Sequence, residues 1–232
     1  MHIGQKKISK GTFWSAFINL YSDLESTFRF IEPVNKHLSV YSLRYYELLL
    51  RAATEFESVC KNEIIKNHLS NKNREKLNIE DYFKLEEHFK RISNNGPIRQ
   101  LANWKIGFHF DPILYRQPLS NWKSDYKLSW YKDYNEVKHN RQQFFEKANL
   151  ENVLDAIGSL FIILMNLDYS WTSSEWKGEK LWKSDGNVIY FDPDWPVCAK
   201  INYADLTGNS INSELIKEMT EKESKEPWRR KY

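Results

Sequence analysis

Apolar residues recur at three- and four-residue spacing over most of the first 170 positions, the period of helices that bury one stripe. Over 12–32 the stripe is Trp14, Phe17, Tyr21, Leu24, Phe28 and Ile31, and Pro33 is expected to end it. Ser42 is suited to cap a second helix over about 43–67, with Tyr46, Leu49, Leu50, Ala53, Cys60 and Ile64 inward. Glu57 falls inside that stripe, where a carboxylate is costly unless paired. Asn78 and Asp81, three apart, mark the start of a third helix over 79–93, with Tyr82, Leu85, Phe89 and Ile92 inward; SNNGP then breaks the chain.

The period changes at 98–118, where Trp104, Ile106, Phe108 and Phe110 alternate with Lys105, Gly107 and His109. That pattern fits a short hairpin or an ordered loop laid over the helices. A fourth helix is expected over 127–147. A fifth, over 150–169, is capped by Asn149 and apolar nearly all round, as a buried spine would be. Beyond 170, LWKSDGNVIYF reads as a hairpin turning at Asp185-Gly186, and a charged surface helix with a frayed tail begins near Ser213. The pattern predicts a mainly α fold. A bundle of about five helices covers 12–170, with a small strand or loop insertion at 98–118 and an irregular Trp-rich appendage over 171–232.

The fourth helix carries the densest polar grouping. At about 100° per residue, Trp130, Tyr134, Val137, Phe144, Phe145 and Ala148 share a face, with Arg141 in its middle. His139 points roughly opposite Trp130, flanked by Asn135 and Gln142, and Lys138 lies at the edge between faces. Arg141 therefore needs a buried anion and Glu57 a buried cation. The expectation is an ion pair between the second and fourth helices; the alternative is that either side chain snorkels to water. His139, with Asn135 and Lys138, is the candidate for chemistry. Metal-free RNA cleavage needs a base for the 2′-hydroxyl proton, an acid for the leaving oxygen and a cation for the phosphorane, roles open to histidine and lysine. A solvated surface histidine is the plain alternative.

Net charge is only +3, from 34 basic against 31 acidic residues, so nucleic-acid binding would need a local patch. Two cysteines, Cys60 and Cys198, argue against a disulfide framework and for a reducing cytosol. The stretch MHIGQKKISKGTFW lacks a signal peptide's apolar core, and the apolar run 156–167 is shorter than the roughly 20 residues that span a bilayer. Nine tryptophans and thirteen tyrosines are expected in the core or an interface, their polar tips partnered. No P-loop, GxGxxG, GxSxG, HExxH or CxxC occurs. The scattered histidines have no metal-ligand spacing, and Asp192, Asp194 and Asp205 fit turns, so no metal or cofactor is expected.

Three stretches read together carry a resemblance: LLLRAATEFESVCKNEI, then YNEVKHNR, then the apolar NVLDAIGSLFIIL. Over about 12–170 the chain resembles the HEPN superfamily of small helical-bundle proteins. The family's ribonucleases carry Arg-Asn, three variable residues and His on the helix before the last core helix. Asn135 and His139 match that spacing, and Tyr134 stands at the arginine position. The resemblance implies a homodimer in which Tyr131, Asn135, Lys138, His139 and Gln142 meet their two-fold copies along a cleft. Tyr134, Gln142 and Tyr131 would contact RNA there. It also implies a cytoplasmic protein of antiviral defence or toxin–antitoxin type, with an antitoxin or defence-system partner and no membrane. Two functions stay open. One is a metal-independent endoribonuclease in which His139 is general base or acid, Asn135 orients and Lys138 offsets phosphate charge. The other is a catalytically inactive helical module that binds a protein partner or nucleic acid as a dimeric scaffold.

Overall fold

The computed structural model describes residues 5–92, 101–108, 114–120, 122, 128–167 and 197–201. The fold is mainly α. Its helices are α1 (Gln5–Thr27), α2 (Leu43–Lys66), α3 (Ile79–Tyr82), α4 (Lys84–Ile92), α5 (Ser129–His139), α6 (Arg141–Phe144) and α7 (Leu150–Leu167). Its strands are β1 (Trp104–Phe108), β2 (Leu114–Arg116) and β3 (Val197–Ile201). The expected break at SNNGP, the hairpin over 181–191 and the surface helix from Ser213 lie outside the described residues.

Local chemistry sets the helix ends. The Ser42 hydroxyl accepts from the Tyr45 amide at 3.1 Å and starts α2. His68 closes α2 with a left-handed φ of 53°, and the Leu69 amide turns back to Ile64 O at 3.0 Å. Asn78 and Asp81 form a full capping box on α3. The Asn149 side-chain oxygen Oδ1 accepts from the Asn152 backbone amide at 3.0 Å and caps the head of α7.

The spine expected from sequence is α7, in which Asn152–Asn166 are all buried. By length and composition α7 could cross a membrane, yet 89% of it is buried inside the bundle, where α2, α5 and α1 pack on it. Of the expected α2 stripe, Leu49, Ala53, Cys60 and Ile64 are buried, whereas Tyr46 and Leu50 are half-buried; Tyr45, Leu48, Ala52, Phe56 and Val59 widen the buried face. α1 ends at Thr27, before Pro33, where the Thr27 hydroxyl bonds to Leu24 O. The third predicted helix forms as two, α3 and α4.

The expected indole partners are not found for three tryptophans. Trp104, Trp122 and Trp130 bury their N–H groups without a hydrogen-bond acceptor among the described residues. Trp122 and Trp130 are enclosed by rings instead, Phe56 lying 6.1 and 5.3 Å from them, so apolar burial outweighs the unmade bond.

β1 is the central strand of a sheet ordered β2-β1-β3, antiparallel on both sides. Ile106 is opposite Arg116 on one side and Ala199 on the other. The alternation at 104–108 thus marks a real strand, and residues 197–201 of the expected appendage belong to the same sheet. The sheet sits on α7 where Gly158 leaves room: a Cβ there would stand 3.2 Å from Ile106 Cδ1 and 3.3 Å from Pro118 Cγ. It also reaches α1, as Phe108 stacks on Tyr21 with ring centroids 6.4 Å apart.

A charged clamp fixes the sheet to α7. Arg116 Nε and one terminal nitrogen donate to the two oxygens of Asp155, both at 2.7 Å, and that nitrogen also donates to Glu151 at 2.8 Å. Burial works against the Arg116 charge, but Asp155 and Glu151 outweigh it and hold the guanidinium above its ordinary pKa. Burial pushes the Asp155 carboxyl up, and Arg116 draws it back only in part.

Candidate functional site

α5 is fastened along three lines. Trp130, Tyr134 and Val137 bury into the core. Lys147 reaches back to Asp133 at 2.9 Å and to Glu136, and Asn152 donates to Asp133 at 3.1 Å. The Tyr131 hydroxyl donates to Glu57 of α2 at 2.8 Å. Burial, and then the Glu57 charge, push the Tyr131 phenol up, so it stays protonated as the donor.

The expected continuous helix over 127–147 is not what forms. The chain breaks at Asn140, with φ −145° and ψ 71°, and restarts as α6 with a 3₁₀ turn at Phe145–Lys147. Asn140 causes this itself: its side chain accepts from the Gln143 amide at 3.4 Å and donates to Gln143 Oε1 at 2.8 Å. It acts as a new N-cap rather than a mid-helix residue.

The break corrects the expected Glu57–Arg141 ion pair. Arg141 no longer follows the buried face of α5; it is exposed and lies 5.2 Å over the Tyr46 ring. Glu57 finds its donors locally, in Tyr131 and in Lys61 at 3.5 Å. The buried Arg–carboxylate pair is Arg116–Asp155, which sequence reasoning missed. The signal was present: Asp155 is an ionisable residue inside the apolar run of α7.

The remaining candidates separate by exposure. His139 is the last residue of α5 and is exposed, with no hydrogen bond or ion pair among the described residues. Asn135, one turn back, is half-buried and donates to the Tyr131 carbonyl at 2.9 Å. Gln142 is exposed but belongs to α6. Tyr134, expected to touch substrate, is 1% exposed, because it lies on the core face of α5 with Trp130 and Val137; this is a second correction.

The Tyr134 hydroxyl accepts from Lys138 at 3.0 Å, and the ammonium lies 5.1 Å from the Tyr134 ring centroid. That hydrogen bond raises the Lys138 pKa, against the pull of partial burial. A cation is thereby held back over position 134. A shallow depression of about 350 Å³ between α1 and α2, lined in part by Ala16, Leu20, Leu50 and Arg51, shares no residue with this grouping. No group of His, Cys, Asp and Glu that could hold a metal occurs among the described residues. Compared with known proteins, the chain matches no family model, no curated protein and no solved structure.

Proposed function

We propose that this chain is a HEPN-like cytoplasmic protein of bacterial defence or toxin–antitoxin type. In this reading the free end of α5 cleaves RNA without a metal once two copies bring these ends together. One observation carries it: Lys138 folds back onto Tyr134, so its charge lies over the position that an arginine holds in the family's ribonucleases. The exposed His139 one residue on completes the set.

In the proposed reaction, His139 of one copy takes the 2′-hydroxyl proton and the oxygen attacks the adjacent phosphorus. The second copy's His139, protonated, gives a proton to the departing 5′-oxygen. The products are a 2′,3′-cyclic phosphate and a 5′-hydroxyl. Lys138 offsets charge on the phosphorane, and Asn135 orients the strand or the imidazole.

The test is incubation of the full chain and its His139→Ala variant with mixed RNA in chelator. Cleavage by the first alone, leaving cyclic phosphate ends, is expected. Equal products from both, or none from either, would remove His139 as catalyst.

A second reading is a silent dimeric scaffold for a protein partner or nucleic acid. It is favoured by Tyr134, a buried phenol where the family's ribonucleases have an arginine. It expects no cleavage and a stable dimer.

A further inference from the structure

Past the break at Asn140 the chain builds a surface that the reaction above leaves unused. Arg141 rests over Tyr46, and Phe145 meets Tyr41 edge-to-face with ring centroids 5.4 Å apart. Two residues of 141–145 are thus laid on two residues of 41–46. Tyr41 is 50% exposed and Leu43, between the two tyrosines, 59%. Tyr46 and Phe145 are half-buried, so with Tyr41 they leave a partly open aromatic face.

The charge around it is equally specific. Arg44, Arg51, Lys61 and Lys66 of α2, together with Lys132 and Lys147, each have a carboxylate oxygen at 3.8 Å or less. Lys138 and Arg141 have no ion pair among the described residues, and His139 stands between them in sequence. Two cations without an ion pair thus flank the break, although Arg29, Arg74 and Lys76 stand without one elsewhere among the described residues and the Glu57 charge acts on Lys138. Glu146, exposed and next to Phe145, pairs with neither cation.

We propose that Tyr41, Tyr46, Arg141 and Phe145 form a stacking subsite for an unpaired base, with the strand's phosphates running past Arg141 and Lys138 to His139. The inference rests on the RNA reading above and adds the form of substrate. Any base offers a π-face to an aromatic ring or guanidinium, but only when it is outside a duplex. Arg141 and Lys138 supply the backbone term.

The experiment uses the full chain carrying His139→Ala, so that the probe is not consumed. Fluorescence anisotropy compares a labelled single-stranded RNA decamer with an abasic strand of equal length and charge. The base-bearing strand is expected to bind more tightly. Adding Tyr41→Ala should cost it about five- to tenfold and leave the abasic strand unchanged, whereas Tyr41→Phe, which keeps the ring, should retain affinity. Arg141→Ala should weaken both strands and flatten the salt dependence.

Equal affinity for the two strands, or no effect of Tyr41→Ala, would overturn the subsite. So would a change of oligomeric state in Tyr41→Ala, by light scattering, with base preference intact, since the face would then join copies of the chain. Base-selective binding without cleavage by the unmodified chain would keep the subsite and remove the catalysis. Cleavage without base selectivity would do the reverse.

Discussion

Arg116 on β2 holds Asp155 on α7 through two parallel hydrogen bonds of 2.7 Å. Their side chains are 18% and 9% exposed, so neither charge can turn fully to water if the other is removed. Asp155→Ala is expected to cost up to about 3–5 kcal/mol in urea unfolding, because only the half-exposed Glu151 then remains beside the guanidinium. Arg116→Met with Asp155→Leu should recover most of that loss. A single variant within about 1 kcal/mol of the unmodified chain would show that water already satisfies the pair.

Asp81 gives the stability a pH signature. Burial pushes its carboxyl up, but hydrogen bonds from Lys72, the Asn78 amide and Lys84 outweigh this and hold it below its ordinary value. A carboxyl depressed in the folded state stabilises above its unfolded pKa, about 3.9, and that contribution fades as pH falls through the lower folded value. The stability gap between the unmodified chain and Asp81→Asn should be full at neutral pH and shrink below about pH 4. A gap that does not change with pH would assign Asp81 to capping alone.

The contact between α2 and α5 is polar as well as aromatic. Tyr131→Phe deletes the donor to Glu57 and leaves that carboxylate with Lys61. The expected loss is about 1.5–3 kcal/mol, the range for a hydrogen bond to a charged group. Thermal unfolding of Tyr131→Phe, of Glu57→Gln and of the double variant measures the coupling, and additive losses would deny it.

Gly158 sets two effects against each other. Alanine gains about 0.5–1 kcal/mol of helix propensity, while its Cβ must move Ile106 and Pro118 by a few tenths of an ångström. The two nearly cancel, so Gly158→Ala should unfold close to the unmodified chain. Leucine has no such balance and is expected to lose about 1–3 kcal/mol or more by prising the sheet off α7. Equal stability of the two variants would mean that the sheet yields freely.

Under the proposed catalysis Lys138 is separable from folding, because its side chain is exposed and its partner is the Tyr134 hydroxyl. Lys138→Gln should lower kcat about a hundredfold, the scale of one charge-stabilising donor, with the melting temperature nearly unchanged. Lys138→Arg should restore part of the rate. Unaltered kcat in Lys138→Gln would leave the phosphorane without this cation.

The bundle was legible wherever one rule acted alone. Ser42, Asn78 with Asp81, and Asn149 cap as read, and the uniform apolarity of α7 meant burial on all sides. Reading failed where two rules competed. Asn140 sits in a strong helical period, and its short polar side chain overrode that period, turning Arg141 away from the face it was assigned. Glu57 does need a partner, but the one it takes is a phenol ten positions before the expected arginine, a donor that charge pairing alone does not point to. Asp155 is masked in the sequence because a single carboxylate inside a run that reads as spine does not alter its apolar character. Its partner lies 39 positions away on a three-residue strand, a distance that no helical period encodes.

The placement of Val197–Ile201 beside Trp104–Phe108 has a consequence for shortened forms of the chain. Without those five residues the middle strand would offer a bare ladder of amides and carbonyls to its surroundings. Truncated protein should then associate edge to edge and elute from a sizing column ahead of the intact molecule, so the late sequence acts as a guard against self-association.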